Sequence, residues 1–218
     1  MKVNAYEILE ELSIIRAMIL SQEVALAEFV SSFESKIEES SEESFVQNYE
    51  GDPGEVVQYS IAHYKGISER DYDVKEIFEV VMPIYQRQAM LITIWSAFET
   101  NLAKLSNYAH SLKDKKVRSK GEKESLAGYY VNTIIDVYGH KEVSKNFKDY
   151  FKILNSDTRI IRNQWAHHGG RNTKKLPELA TIGLYEKYSQ IVITEEYLLL
   201  TLNRIDCVAN ELVKIMES

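Results

Sequence analysis

"YQRQAMLITIWSAFETNLAKLSNYAHSL", residues 85–112, is the most strongly apolar helical stretch of the chain, and its spacing decides which fold to expect. Met90, Ile94, Ala97, Phe98, Leu102 and Leu105 recur three and four apart, the repeat that turns one helix face toward a core. Glu99 sits beside that stripe, between Phe98 and Thr100. A carboxylate there is either solvated by a small rotation of the helix or buried against a cation, since an unpaired buried charge is costly. Arg159 and Arg162 are the suitable partners.

The same repeat extends outward in both directions. Residues 3–37 read as a long amphipathic helix with Ile8, Leu12, Ile15, Ile19, Leu26, Phe29, Phe33 and Ile37 on its stripe. "EESSEES" at 38–44 interrupts it and reads as a flexible loop. Asp52-Pro53-Gly54-Glu55 predicts a helix start, with Asp52 as cap and Pro53 at the first position, stopping near Gly66. A further helix starts near Asp73 and kinks at Pro83. Helices follow at about 125–138, ending at Gly139, and at 146–168. "ATIGLYEKYSQIVIT", 180–194, alternates apolar and polar residues and reads as a short β-hairpin or an extended excursion. Thr194 then caps a last helix. With three prolines and nine glycines in 218 residues, the expected fold class is all-α: a bundle of four to five core helices over 81–218, behind an acidic helical extension over 1–80.

No stretch approaches the roughly 20 apolar residues of a membrane span. The first residues, MKVNAYEILEELS, carry acids where a signal peptide has its apolar region, so a cytoplasmic protein is expected. Cys207 is the single cysteine and has no metal-ligand company. His63, His110 and His140 are scattered, and neither a phosphate-cradling glycine loop nor a serine-hydrolase elbow is present. No cofactor or metal is implied. The net charge of −7 is unevenly spread: residues 1–80 hold 18 acids against 6 Lys/Arg, and the rest 15 against 20. Either acidic helices simply come first, or one face is kept basic for an anionic partner. Two clusters fit the second reading, "KDKKVRSKGEK" at 113–123 and "RNQWAHHGGRNTKK" at 162–175.

The end of the 146–168 helix carries more than a helix ending needs: Arg162, Asn163, Trp165, His167 and His168, then Gly169-Gly170. Positions four apart nearly align, so Asn163 and His167 share a face, whereas five positions diverge by roughly 140°. Arg162 and His167 converge only if the helix unwinds at the glycines or if two copies line one cleft. An imidazole moves the proton of a ribose hydroxyl or of a leaving oxygen, and a guanidinium clamps the phosphate. The competing structural readings are that the histidines merely cap the helix and that Arg162 merely pairs with Glu99. Trp165 reads as packing more than as a base-stacking platform.

"IRNQWAH" resembles the arginine-to-histidine motif of the HEPN superfamily, small helical domains that include many metal-independent endoribonucleases. "IWSAFETNLAKL", with Phe98-Glu99, is similar to the earlier HEPN helix, and "IVITEEYL" before the last helix adds to the likeness, which spans about 84–217. The resemblance implies a HEPN-like bundle that dimerises around two motifs and cuts RNA by 2′-hydroxyl attack, in toxin–antitoxin systems or antiviral defence. It implies Arg162, His167 and Asn163 as catalytic residues, with Glu99, His168 and Arg159 in support. Lys113, Lys115, Lys116, Arg118, Arg171, Lys174 and Lys175 are the candidate RNA contacts. Expected partners are RNA, a second copy, and an antitoxin or other regulatory protein, with no membrane. In one toxin branch the antitoxin modifies a tyrosine two positions after the histidine; Gly169 stands there, so that control is not implied. The alternative function is a non-catalytic dimeric scaffold, and a further reading has residues 1–80 covering the basic cleft.

Overall fold

The computed structural model describes residues 5–113, 118–139, 143–171, 184–187 and 189–217. In chain order these form helices α1 (Ala5–Ser31) and α2 (Phe33–Lys36), strands β1 (Glu38–Val46), β2 (Glu55–Tyr64) and β3 (Ile67–Ser68), and a short helix α3 (Val74–Glu76). A π turn (Ile77–Val81) leads into α4 (Met82–Lys113), followed by α5 (Leu126–Tyr138) and α6 (Lys145–Ile153). A second π turn (Leu154–Thr158) leads into α7 (Arg159–His168), and then come β4 (Leu184–Lys187), β5 (Gln190–Ile193) and α8 (Glu195–Glu217). The chain divides into two compact units, Gln22–Tyr85 and the remainder, and α1 and α4 contribute to both.

The all-α expectation is overturned. The structure is mostly helical, but it holds a three-stranded antiparallel sheet, ordered β1-β2-β3, and a two-stranded β4-β5 hairpin. The stretch expected as a loop, 38–44, is strand β1, and the helix expected from Asp52 to Gly66 is strand β2. Val56, Val57, Tyr59, Ile61 and Tyr64 give β2 the side chains that suit a pleated surface. β1 pairs with it in unbroken register from Glu38↔His63 to Val46↔Glu55. Lys65 (φ 46°) and Gly66 (φ 85°) form a two-residue turn into β3, the left-handed pair that matches hairpin twist.

Asp52 closes a turn instead of capping a helix. Its carboxylate accepts the amides of Asn48 and Gly54, each at 3.1 Å. These bonds hold the Asp52 carboxyl below its ordinary value of 3.8, with Asn48 as the larger cause. A depressed carboxyl stabilises the fold above its ordinary titration range, and that contribution disappears as pH falls through the lowered value. Amide exchange at Asn48 and Gly54 is therefore expected to speed up in Asp52→Asn at neutral pH. The difference from the parent protein should shrink as pH falls through the lowered carboxyl value and vanish once Asp52 is protonated. A difference that persists there would show that the carboxylate is not what holds the turn.

The Gln22–Tyr85 unit has an aromatic core of its own. Phe29 stacks on Phe78 at 4.8 Å, and Tyr64 meets the Phe78 ring edge-on at 4.3 Å. Phe33, Ile37, Ile67, Val74 and Met82 pack around them. The π turn at Ile77–Val81 lies immediately before Pro83, where sequence predicts a kink. A widened turn relieves the clash between the proline ring and the carbonyl four residues earlier.

In the larger unit the predicted stripe of α4 is buried at Met90, Ile94, Phe98, Leu102 and Leu105, whereas Ala97 is half-buried and Leu91 and Trp95 join the core beside it. α8 packs against α5 and α6. Arg16 of α1 reaches α8, donating to Asp206 at 2.7 Å and to Asn203 at 2.8 Å. Helix starts follow local chemistry: Ser125, Ser144 and Thr194 each accept an amide of the following turn. Gly139, at φ 68°, ends α5. No helix among the described residues is long and apolar enough to cross a membrane.

Candidate active site

The helix that carries the arginine-to-histidine motif is built in three parts: α6, the π turn and α7 follow one another without a break. A π turn accommodates one more residue than an α-helical turn and shifts every later side chain around the axis. It is fixed from within. Thr158, at its end, is fully buried and shares a 3.1 Å hydrogen bond with the Tyr197 hydroxyl. Burial pushes the Tyr197 phenol up to about 12, so it keeps its proton and acts as a structural pin. Asn155 gives its carbonyl to Arg159 Nε at 2.8 Å, and its side chain meets the Ser125 hydroxyl at the start of α5.

Arg162 leaves α7 toward α4. Its Nη2 donates to Glu99 Oε2 at 2.9 Å, with about a fifth of each side chain exposed. The guanidinium carbon lies 5.8 Å from the centre of the buried Trp95 ring. Nε is enclosed without a hydrogen-bond partner, and Nη1 makes no hydrogen bond among the described residues. One edge of the guanidinium is thus held by a carboxylate and backed by an indole, while Nη1 has hydrogen-bonding capacity to spare. Trp95 stands four residues before Glu99 and so shares its face. That spacing was readable, yet sequence reasoning on Glu99 and the arginines passed over it.

α7 stays regular through His168. Arg162 and His167, five positions apart, therefore diverge by roughly 140° within one chain. Unwinding at the glycines does not bring them together. His167 and His168 are both exposed, their ring centres 6.4 Å apart. Asn163 is half-buried, one helical turn before His167 and on the same side of the helix.

The helix then stops abruptly. Gly169 (φ 59°) and Gly170 (φ 76°) are both left-handed, and the Gly170 amide returns to the Gln164 carbonyl at 3.1 Å. The β4-β5 hairpin grips this end. The Gly170 carbonyl accepts the Ile191 amide at 2.9 Å, Gln190 Nε2 donates to Gly169 O at 2.8 Å, and the Trp165 indole donates to Ile191 O at 3.0 Å. Trp165 is buried packing, and the histidines are left at the rim.

Of the remaining basic candidates, Lys113, Arg118 and Arg171 lie among the described residues. Arg118 is committed to Glu124 at 2.7 Å and to Asp136 at 3.6 Å, and lies over the Tyr129 ring. Asn132, the Gly121 amide and Arg118 together hold the Glu124 carboxyl low. Arg118 is therefore a structural cation. Arg171 is exposed just beyond the glycines and bridges to Gln190. Lys113 is the last residue of α4, and Lys115, Lys116, Lys174 and Lys175 lie outside the described residues. No three His, Cys, Asp or Glu side chains among the described residues are grouped as a metal ion requires. No family model, curated protein or solved structure matches the chain.

Proposed function

We propose that this chain is a metal-independent endoribonuclease of the HEPN type, active as a homodimer in the cytoplasm. The observation that carries the reading is the held arginine. Arg162 is fixed by Glu99 and Trp95 with Nη1 to spare, and an exposed histidine stands five residues further along the same helix. Because the two side chains diverge on one helix, the reading needs two copies, each presenting an arginine and a histidine to a shared cleft.

In that cleft Arg162 binds the scissile phosphate and offsets the negative charge that builds on its oxygens. One His167 accepts the proton of the ribose 2′-hydroxyl as its oxygen attacks phosphorus. The His167 of the second copy donates a proton to the departing 5′-oxygen. The products are a 2′,3′-cyclic phosphate and a 5′-hydroxyl. Asn163 orients His167 or the phosphate, His168 and Arg159 support the site, and Arg171 contacts the RNA backbone. The biological setting proposed is a toxin or antiviral ribonuclease held in check by a regulatory protein.

Incubation of a mixed cellular RNA pool with the purified protein in EDTA tests the reading. The expected result is fragments with 2′,3′-cyclic phosphate ends. Fragments with 3′-hydroxyl ends, or cutting only when a divalent metal is restored, would overturn it.

A further inference from the structure

The sheet of the Gln22–Tyr85 unit ends on one side in β1, and three features of that edge belong together. It is long and unbroken: nine residues pair one-to-one with β2, with no bulge and no proline. Among the described residues its backbone bonds only to β2, so about half of its N–H and C=O groups face outward unpaired. Its outer face is acidic and then apolar. Glu39, Ser41, Glu43 and Phe45 project on one side of the sheet beside Val56, Gln58 and Ser60 of β2, and all are exposed.

The carboxylates are only lightly engaged. Glu39 accepts from the Ser60 hydroxyl and Glu43 from the Gln58 amide, but neither has a cationic partner among the described residues. On the opposite side Glu42 is already paired with Arg70. Phe45 and Val56 face each other at the tip, 62% and 63% exposed, a cross-strand apolar pair left largely open although Gly54 abuts the Phe45 ring.

We infer that β1 is a docking edge for an extended basic segment of another protein, which adds to the sheet as a fourth strand. Main-chain hydrogen bonds would supply the affinity, and side chains on alternate positions the selection. Lysine or arginine at two positions four apart would meet Glu39 and Glu43, and an apolar residue two positions further would cover Phe45. The charge pattern also decides against a second copy of this chain. Antiparallel pairing of β1 with itself about its centre sets Glu42 against Glu42 and crowds the neighbouring acids, and like charges on facing strands are unfavourable. This surface is independent of the ribonuclease reading and stands or falls without it.

Binding of a nine-residue peptide with lysine at positions 2 and 6, valine at position 8 and threonine elsewhere to the intact protein, followed by fluorescence anisotropy, tests the inference. Two changes are each expected to weaken it at least tenfold. One is Glu39→Lys with Glu43→Lys in the protein, and the other is N-methylation of successive peptide residues, which keeps every charge and removes the donors. Glu10→Lys with Glu28→Lys, the same charge change on α1, should leave affinity within about twofold. Three results would overturn the inference: no binding, equal binding of the methylated peptide, or equal loss in the α1 variant. Sedimentation of the protein alone provides a fourth: a dimer abolished only by the β1 variant would assign the edge to a second copy.

Discussion

A His167→Ala protein is expected to cut RNA roughly 10²–10⁴ times more slowly than the parent, the range for losing a positioned general acid or base. Its melting temperature should be unchanged. His167 is exposed, and among the described residues no hydrogen bond or ion pair of its side chain ties it to the fold. Arg162→Ala should lose cleavage to a similar degree but should also melt earlier. Removing the guanidinium strands Glu99 in a half-buried position beside Trp95. Titrating the His167→Ala protein into the parent provides a sharper measurement. If two copies share a cleft and each supplies one proton transfer, a mixed dimer holds only one histidine, so activity should fall with the square of the parent fraction rather than in proportion to it. Full activity in His167→Ala would remove the histidine from the mechanism altogether.

The second large effect concerns stability. Gly170→Ala should destabilise the protein by about 2–4 kcal/mol, combining backbone strain at positive φ with overpacking. At φ 76° the added Cβ would lie 2.5 Å from two carbons of the Trp165 indole. That ring cannot retreat without losing its bond to Ile191. Gly169→Ala supplies the control. Its φ is 59°, but nothing lies within 4 Å of the new Cβ, so only the conformational cost of about 1 kcal/mol applies. Thermal melts of the two variants should differ by several degrees. Equal melting temperatures would show that the indole is not packed as described.

Local chemistry made some of this legible in advance. Thr194 and Gly139 mark helix ends because a hydroxyl or a left-handed glycine satisfies orphan backbone groups within a few residues. The Glu99–Arg162 pairing was also within reach, because a carboxylate beside a core stripe needs a cation and only two arginines offered themselves. Strands β1 and β2 were not. "EESSEES" has no apolar face and no β-branched or aromatic residue, and it becomes a strand only through its partner 13–25 residues later. Asp52-Pro53-Gly54 misled for a related reason: the residue types that start a helix also close a tight turn. The π turn before α7 has no sequence signature, so the direction in which Arg162 points had to come from the structure.

That turn makes the motif unevenly tolerant of changes in chain length. One residue removed within Leu154–Thr158 converts the wide turn to an ordinary one, and Arg162 still faces Glu99. One residue removed only a few positions later, between Arg159 and Ile161, swings Arg162 and everything beyond it by about 100°. The arginine then leaves its carboxylate, and the glycine stop no longer meets the hairpin. The π turn is therefore a slack link in an otherwise rigid shaft. Relatives of this protein can differ in length at 154–158 and still aim the same side chains, while length should be invariant from Arg159 to Gly170.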